Sequence, residues 1–152
     1  MVTAVESLLT VRRSIHIAAS PERVWEEFTS FERMTAWWGT GHRLVAYEPR
    51  VGGRIEMEVE VEGAMRRFGG SVLVLDAPRE LTFEDNWFGP FAWAAPLLVT
   101  LRLSPVADGT IVEFIQHGFE RLGAEAAGLH RGLEGGWTVR QLEALRRIVE
   151  GE

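Results

Sequence analysis

A chain of 152 residues, 46% apolar and 25% charged, suits one folded domain that buries roughly two-thirds of its unfolded surface. Sixteen basic residues against 22 acidic ones give a net charge of −6, which argues against a nucleic-acid partner. All the basic residues are Arg and there is no Cys, so Schiff-base lysine chemistry, disulfides, thiolate nucleophiles and zinc–thiolate sites are excluded together.

Residues 1–8 read as a loose lead-in to a single domain over 1–152, without the basic region and apolar core of a signal peptide. No apolar run approaches the length of a membrane span, so the expectation is a soluble, cytoplasmic protein. From Leu9 onward, Val11, Arg13, Ile15 and Ile17 alternate with Arg12, Ser14 and His16, the period of a first strand. Ser20-Pro21 marks a helix start, because a serine oxygen caps free amides and proline suits the first helical position. That helix buries Val24, Trp25 and Phe28 and ends near Thr29; a second, from Glu32 to about Trp38, stops at Gly39.

Beyond Gly41 the period becomes two. Strands are expected at Leu44–Tyr47, at 54–62, from Arg66 to Leu75, over Leu81 to Asp85, around Val99, Leu101 and Leu103, and at the run holding Val112, Phe114 and Gln116. In 54–62 Ile55, Met57, Val59 and Val61 face one way, which sends Glu56, Glu58, Glu60 and Glu62 to an outer, solvated face. A long aromatic connection, Trp87 to Trp93, follows the Leu81–Asp85 strand, and Asp108-Gly109 signals a hairpin. From Leu122 to Val149 apolar residues recur at helical spacing. Gly135-Gly136 interrupts that stripe, so a main helix from about His130 to Glu150 is expected after a shorter, less regular piece. The order is one strand, two short helices, six strands and a long helix. An α+β fold follows, with a curved antiparallel sheet gripping the helix.

Residues 17–39, IAASPERVWEEFTSFERMTAWWG, resemble the signature opening of the heat-shock protein 90 ATPase-activator homologue family. GGRIEM at 52–57, DAPRELTFED at 76–85 and a closing helix with Gly136-Trp137, Leu142 and Leu145 agree with it in order. That family is part of the START-like, polyketide cyclase-like superfamily. The resemblance implies a helix-grip fold with an apolar cavity between sheet and helix, and no single activity. Two positions depart from the family pattern. Asp85 stands where relatives often carry Trp, and Gln116, followed by His117, stands where many carry His.

The candidate ligand-binding residues are Trp37, Trp38, Phe68, Asp85, Trp87, Trp93, Phe114, Gln116, His130, Trp137 and Gln141. Trp37 and Trp38 close the second short helix, where one is core and the other is placed to touch ligand. Trp87 and Trp93 flank a Gly-Pro loop and are either a gate or a plug on the core. Trp137 is either core or cavity wall. Asp85 shares a face with Leu81 and Phe83, so alternation points it inward, where Arg66, Arg13 or a ligand group would be its partner. Gln116, His130, Glu134 and Gln141 would make a polar floor in an apolar pocket.

The reading that needs only these features is a module that binds a small hydrophobic or aromatic molecule, with no cofactor and no metal. A cyclase, dehydratase or hydrolase using His130 with Asp85 or Glu134 as acid and base is the first alternative. A chaperone-associated interaction domain is the second. No nucleophile elbow, P-loop or dinucleotide fingerprint occurs.

Overall fold

The computed structural model describes residues 9–136 and 139–151. Strand β1 (Val11–Ile17) leads to helix α1 (Pro21–Trp25), which runs on as one 3-10 turn, Glu26–Phe28, and then to helix α2 (Phe31–Trp38). Strands β2 (Arg43–Tyr47), β3 (Arg54–Val61), β4 (Ala64–Asp76), β5 (Glu80–Trp87), β6 (Leu97–Val106) and β7 (Gly109–His117) follow. A 3-10 stretch, Phe119–Glu125, precedes helices α3 (Ala126–Gly136) and α4 (Arg140–Glu150).

The seven strands form one antiparallel sheet in the order β1-β7-β6-β5-β4-β3-β2. Each hairpin adds the next strand to one edge, and β1 closes against β7 on the other. Helix α4 packs on α2 and β1, burying Leu142, Ala144 and Leu145. This is the helix-grip arrangement expected from the sequence. The closing helix differs from expectation: α3 ends at Gly136 and α4 starts at Arg140, so there are two helices of 11 residues each. The apolar stripe is therefore carried by two helices and not by one. Trp137 lies outside the described residues.

Two serines set the short helices. Ser20 Oγ accepts from the Arg23 amide and Ser30 Oγ from the Arg33 amide, both at 3.2 Å. Loss of such a cap costs on the order of 1 kcal/mol. Between the helices the buried Glu27 carboxylate receives Arg23 at 2.6 Å and Arg33 at 2.9 Å. The Trp37 indole donates to the Glu27 carbonyl at 3.0 Å, and the Tyr47 hydroxyl to the Phe28 carbonyl at 2.6 Å. These bonds fix the helical pair over one end of the sheet.

At Gly69 φ is +135°, and an added Cβ would lie 2.1 Å from the Ile55 carbonyl oxygen. Only glycine lets β4 pass so close to β3 there. On β3 the alternation holds, with Ile55 and Met57 buried on the inner face. The outer carboxylates are not uniformly solvated, however. Glu60 and Glu62 are exposed, but Glu56 is only 8% exposed. Arg54 reaches Glu56 at 3.0 Å, and Glu58 takes Arg43 at 2.6 Å, with Arg67 near both. The long arginine side chains of neighbouring strands cover half of the row. Among the described residues no helix is long and apolar enough to cross a membrane.

Candidate functional site

Between the inner face of the sheet and α3 lies a cavity of about 130 Å³. Its apolar wall is Val59 from β3, Phe68 from β4, Trp87 from β5, Trp93 from the β5–β6 connection and Leu133 from α3. Asp85, Gln116, His42 and Gly41 complete it. Strand register explains the convergence. Phe68 pairs with Trp87 across β4 and β5, and their rings meet with centroids 5.3 Å apart. Asp85 follows Leu81 and Phe83 on the inner face of β5, and Gln116 follows Val112 and Phe114 on that of β7.

The polar floor is a pair. Gln116 is 0% exposed and Asp85 3%. Gln116 Nε2 donates to Asp85 Oδ2 at 3.0 Å. Burial raises the Asp85 pKa from 3.8 to about 6, and the bond from Gln116 works against that rise. The arginines expected beside Asp85 are engaged elsewhere. Arg13 donates to the Glu134 carbonyl at 2.8 Å, and the Arg66 guanidinium lies 3.9 Å from the Phe91 ring centre. Gln116 Oε1 is buried with no hydrogen-bond partner among the described residues.

His42 is the lining residue that sequence reasoning missed. Its ring meets Trp38 and Phe68 edge-on, at 5.7 and 5.5 Å between centroids. Burial lowers its pKa to about 4, opposed by a hydrogen bond with the Trp38 backbone, so the imidazole is neutral at pH 7. The available signal was alternation: His42 shares its parity with the buried Leu44. Val59 and Leu133 were read as inward-facing without being assigned to a site.

Of the eleven candidates, Phe68, Asp85, Trp87, Trp93 and Gln116 line the cavity. Trp37 and Trp38 are both core, at 0% and 1% exposure, and Trp38 packs against Phe83 and Phe114. Phe114 belongs to that cluster and not to the lining. His130 donates from Nε2 to the Thr10 carbonyl at 2.7 Å, stands edge-on to Phe119 and lies 3.4 Å from the exposed Glu134. It is thus off the cavity, so it does not join Asp85 there. Gln141 donates to the Thr40 carbonyl at 2.9 Å, tying α4 to the end of α2. The helix break separates Gln141 and His130 from the polar floor that a continuous helix would have made.

The aromatic connection is pinned. The Trp93 amide donates to Asn86 Oδ1 at 2.8 Å, and Asn86 Nδ2 donates back to the Trp93 carbonyl at 3.3 Å. The Phe88 amide donates to the Arg67 carbonyl at 3.0 Å. Both ends of the segment are held, with Trp87 and Trp93 turned to the cavity.

A larger depression, about 370 Å³, opens on the outer face of the sheet among Thr10, Arg12, Glu80, Arg102, His117 and Glu120. It is lined by charged groups, and the hydroxyls and imidazole along its floor are bonded to one another. Among the described residues no group of three His, Asp or Glu side chains is placed to hold a metal ion.

A sequence profile of the family described as Activator of Hsp90 ATPase homolog 1-like protein matches residues 18–150. No curated protein matches the chain. Solved structures do. A crystal structure of a Mesorhizobium loti protein is 22% identical, with 93% of this chain and 96% of that one covered and a TM-score of 0.68. A solution structure from Arthrobacter aurescens gives 20%, 99%, 91% and 0.72 for the same quantities. The Aha1 dimer from Colwellia psychrerythraea gives 20%, 93%, 96% and 0.65. At these identities the likeness is one of fold.

Proposed function

The chain belongs to the Activator of Hsp90 ATPase homolog 1-like family, and from that premise we propose that it binds a small hydrophobic molecule in the cavity between sheet and α3. One observation carries the reading: a buried carboxylate–amide pair, Asp85 and Gln116, forms the floor of a cavity otherwise walled by Phe68, Trp87, Trp93, Val59 and Leu133. An apolar container with a few convergent polar groups is the usual composition of a small-molecule site. A core built for stability alone gains more from Leu or Val at those two positions, because burying polar groups costs free energy that their mutual bond only partly returns. The cavity is close in size to one of about 150 Å³ that accepts benzene, so the ligand is of that order.

Acid–base catalysis in the same space is the second reading. It rests on Asp85 and His42, which share the cavity, and no longer on His130. A carboxyl group that titrates near pH 6 beside a neutral imidazole has the two protonation states that such chemistry needs. A chaperone partner, to which the family's name points, would use an outer surface and leaves the polar floor without a purpose.

The test is a titration with toluene, followed by tryptophan fluorescence, on the protein and on Val59→Phe. Val59→Phe places a ring in the cavity while keeping β3 apolar. Binding is expected in the unaltered protein and at least about tenfold weaker in the variant, the loss that goes with roughly 1.4 kcal/mol. Equal affinities with an intact circular dichroism spectrum would put the ligand elsewhere.

A further inference from the structure

The hydrogen-bonding capacity of the cavity floor is one-sided. Above the Asp85 titration the carboxylate offers only lone pairs, and the amide must turn its NH2 towards it. The structure has that orientation, with Gln116 Nε2 on Asp85 Oδ2 at 3.0 Å. Gln116 Oε1 is then left as a second acceptor, fully buried and without a partner among the described residues. Among the described residues no arginine lines the cavity, and Arg13 and Arg66 are held by Glu134 and Phe91. Two buried acceptors on hydrogen-bonded neighbours, one of them anionic, make a place for a group that carries several N–H bonds and a positive charge. Three aromatic side chains, Phe68, Trp87 and Trp93, line the same cavity, and the face of an aromatic ring attracts a cation further.

We propose that the cavity recognises a small primary amine, whose ammonium group is received by Asp85 and Gln116 Oε1 and whose apolar group packs against Phe68, Trp87 and Trp93. This rests on the cavity being a ligand site, and it narrows the ligand to one chemical class. A carboxylate ligand is disfavoured by like-charge repulsion from Asp85, which apolar surroundings strengthen. A neutral hydrocarbon fits the wall but leaves both acceptors unserved, which is the costly arrangement in an apolar surrounding. An ammonium group with three donors satisfies both and neutralises the carboxylate.

Benzylamine, benzyl alcohol and toluene have the same ring and differ in donor and charge, so they separate this inference from the one it rests on. Calorimetric titration at pH 7.5 is expected to give benzylamine an affinity at least about tenfold above toluene, with benzyl alcohol between, because hydrogen bonds to charged groups are the stronger kind. In Asp85→Asn the benzylamine affinity is expected to fall to that of toluene in the same variant. A second arm uses only the unaltered protein. Asp85 and His42 are the titratable residues lining the cavity, and His42 stays neutral down to about pH 4. Lowering the pH from 7.5 to 5 therefore protonates Asp85 in the empty cavity, and benzylamine affinity is expected to drop by about fivefold or more while toluene affinity holds. Toluene binding as tightly as benzylamine, or benzylamine binding that ignores pH, overturns the amine assignment and leaves the cavity reading standing. Failure of all three probes to bind overturns both.

Discussion

The two faces of strands β5, β6 and β7 carry two polar clusters that differ in their accounting. On the outer face the Thr82 hydroxyl donates to Glu80 at 2.8 Å, so it accepts from Thr100, also at 2.8 Å. Thr100 has then spent its one hydrogen and accepts from His117 Nε2 at 3.0 Å. Every donor in that chain has an acceptor, and the direction of each bond follows from the carboxylate at its end. On the inner face, at Asp85 of β5 and Gln116 of β7, the pair has a single bond and, among the described residues, an uncompensated carboxylate and an unused carbonyl oxygen. A closed network holds strands together. An open one, beside a cavity, has capacity left for a ligand. The outer depression is the larger of the two, yet size is the weaker guide, because its floor is already satisfied.

The difference has a largest measurable consequence in pH dependence. Asp85 keeps its proton to about pH 6 when folded, against an ordinary value of 3.8. Between those values the folded chain binds more protons than the unfolded one, so this residue's contribution to stability falls as pH rises through the window. Asp85→Asn removes the cost of ionisation. Denaturant unfolding is expected to show the variant more stable than the parent at pH 8 by up to roughly 3 kcal/mol, with the two converging as pH falls towards 4. His42, whose lowered pKa acts in the opposite direction below pH 6.5, cancels in that comparison. A variant less stable at pH 8 would mean that the floor is as well satisfied as the outer chain.

Cutting the outer chain should have the smaller effect. Thr100→Val keeps the shape and removes the hydroxyl between Thr82 and His117. The expected loss is about 1 kcal/mol in the same unfolding experiment, with toluene affinity unchanged. A change in toluene affinity would join the two faces into one site.

How much of this was legible beforehand follows from the periods involved. Strand alternation is strict, so it put Asp85 with Leu81 and Phe83, and Gln116 with Phe114, on the buried face where the structure has them. The same rule applied two residues before Leu44 identifies His42, but a short strand after a glycine-rich turn gives too few repeats to start from. Helix phase was less dependable. Summing 100° per residue across Gly135-Gly136 placed His130 and Gln141 beside the cavity. The break before Arg140 cancels that sum, and the two residues cap other contacts, at Thr10 and Thr40. Trp37 and Trp38 show a further limit. Nothing in a sequence distinguishes a buried tryptophan under a site from one lining it, since both satisfy the same apolar pattern. The Glu56 and Glu58 row was assigned to the correct face, but its burial depended on arginines from three strands, which adjacency in sequence does not reveal.

The central claim is that the open polar pair marks the ligand site, and the measurement closest to it is a nuclear magnetic resonance titration with toluene. Side-chain amide signals of Gln116 and methyl signals of Val59 and Leu133 report the inner cavity, and those of Thr82 and Thr100 report the outer face. Saturable shifts are expected at Gln116, Val59 and Leu133, with Thr82 and Thr100 unmoved. Shifts confined to Thr82 and Thr100, or none at Gln116 at saturating toluene, would contradict it.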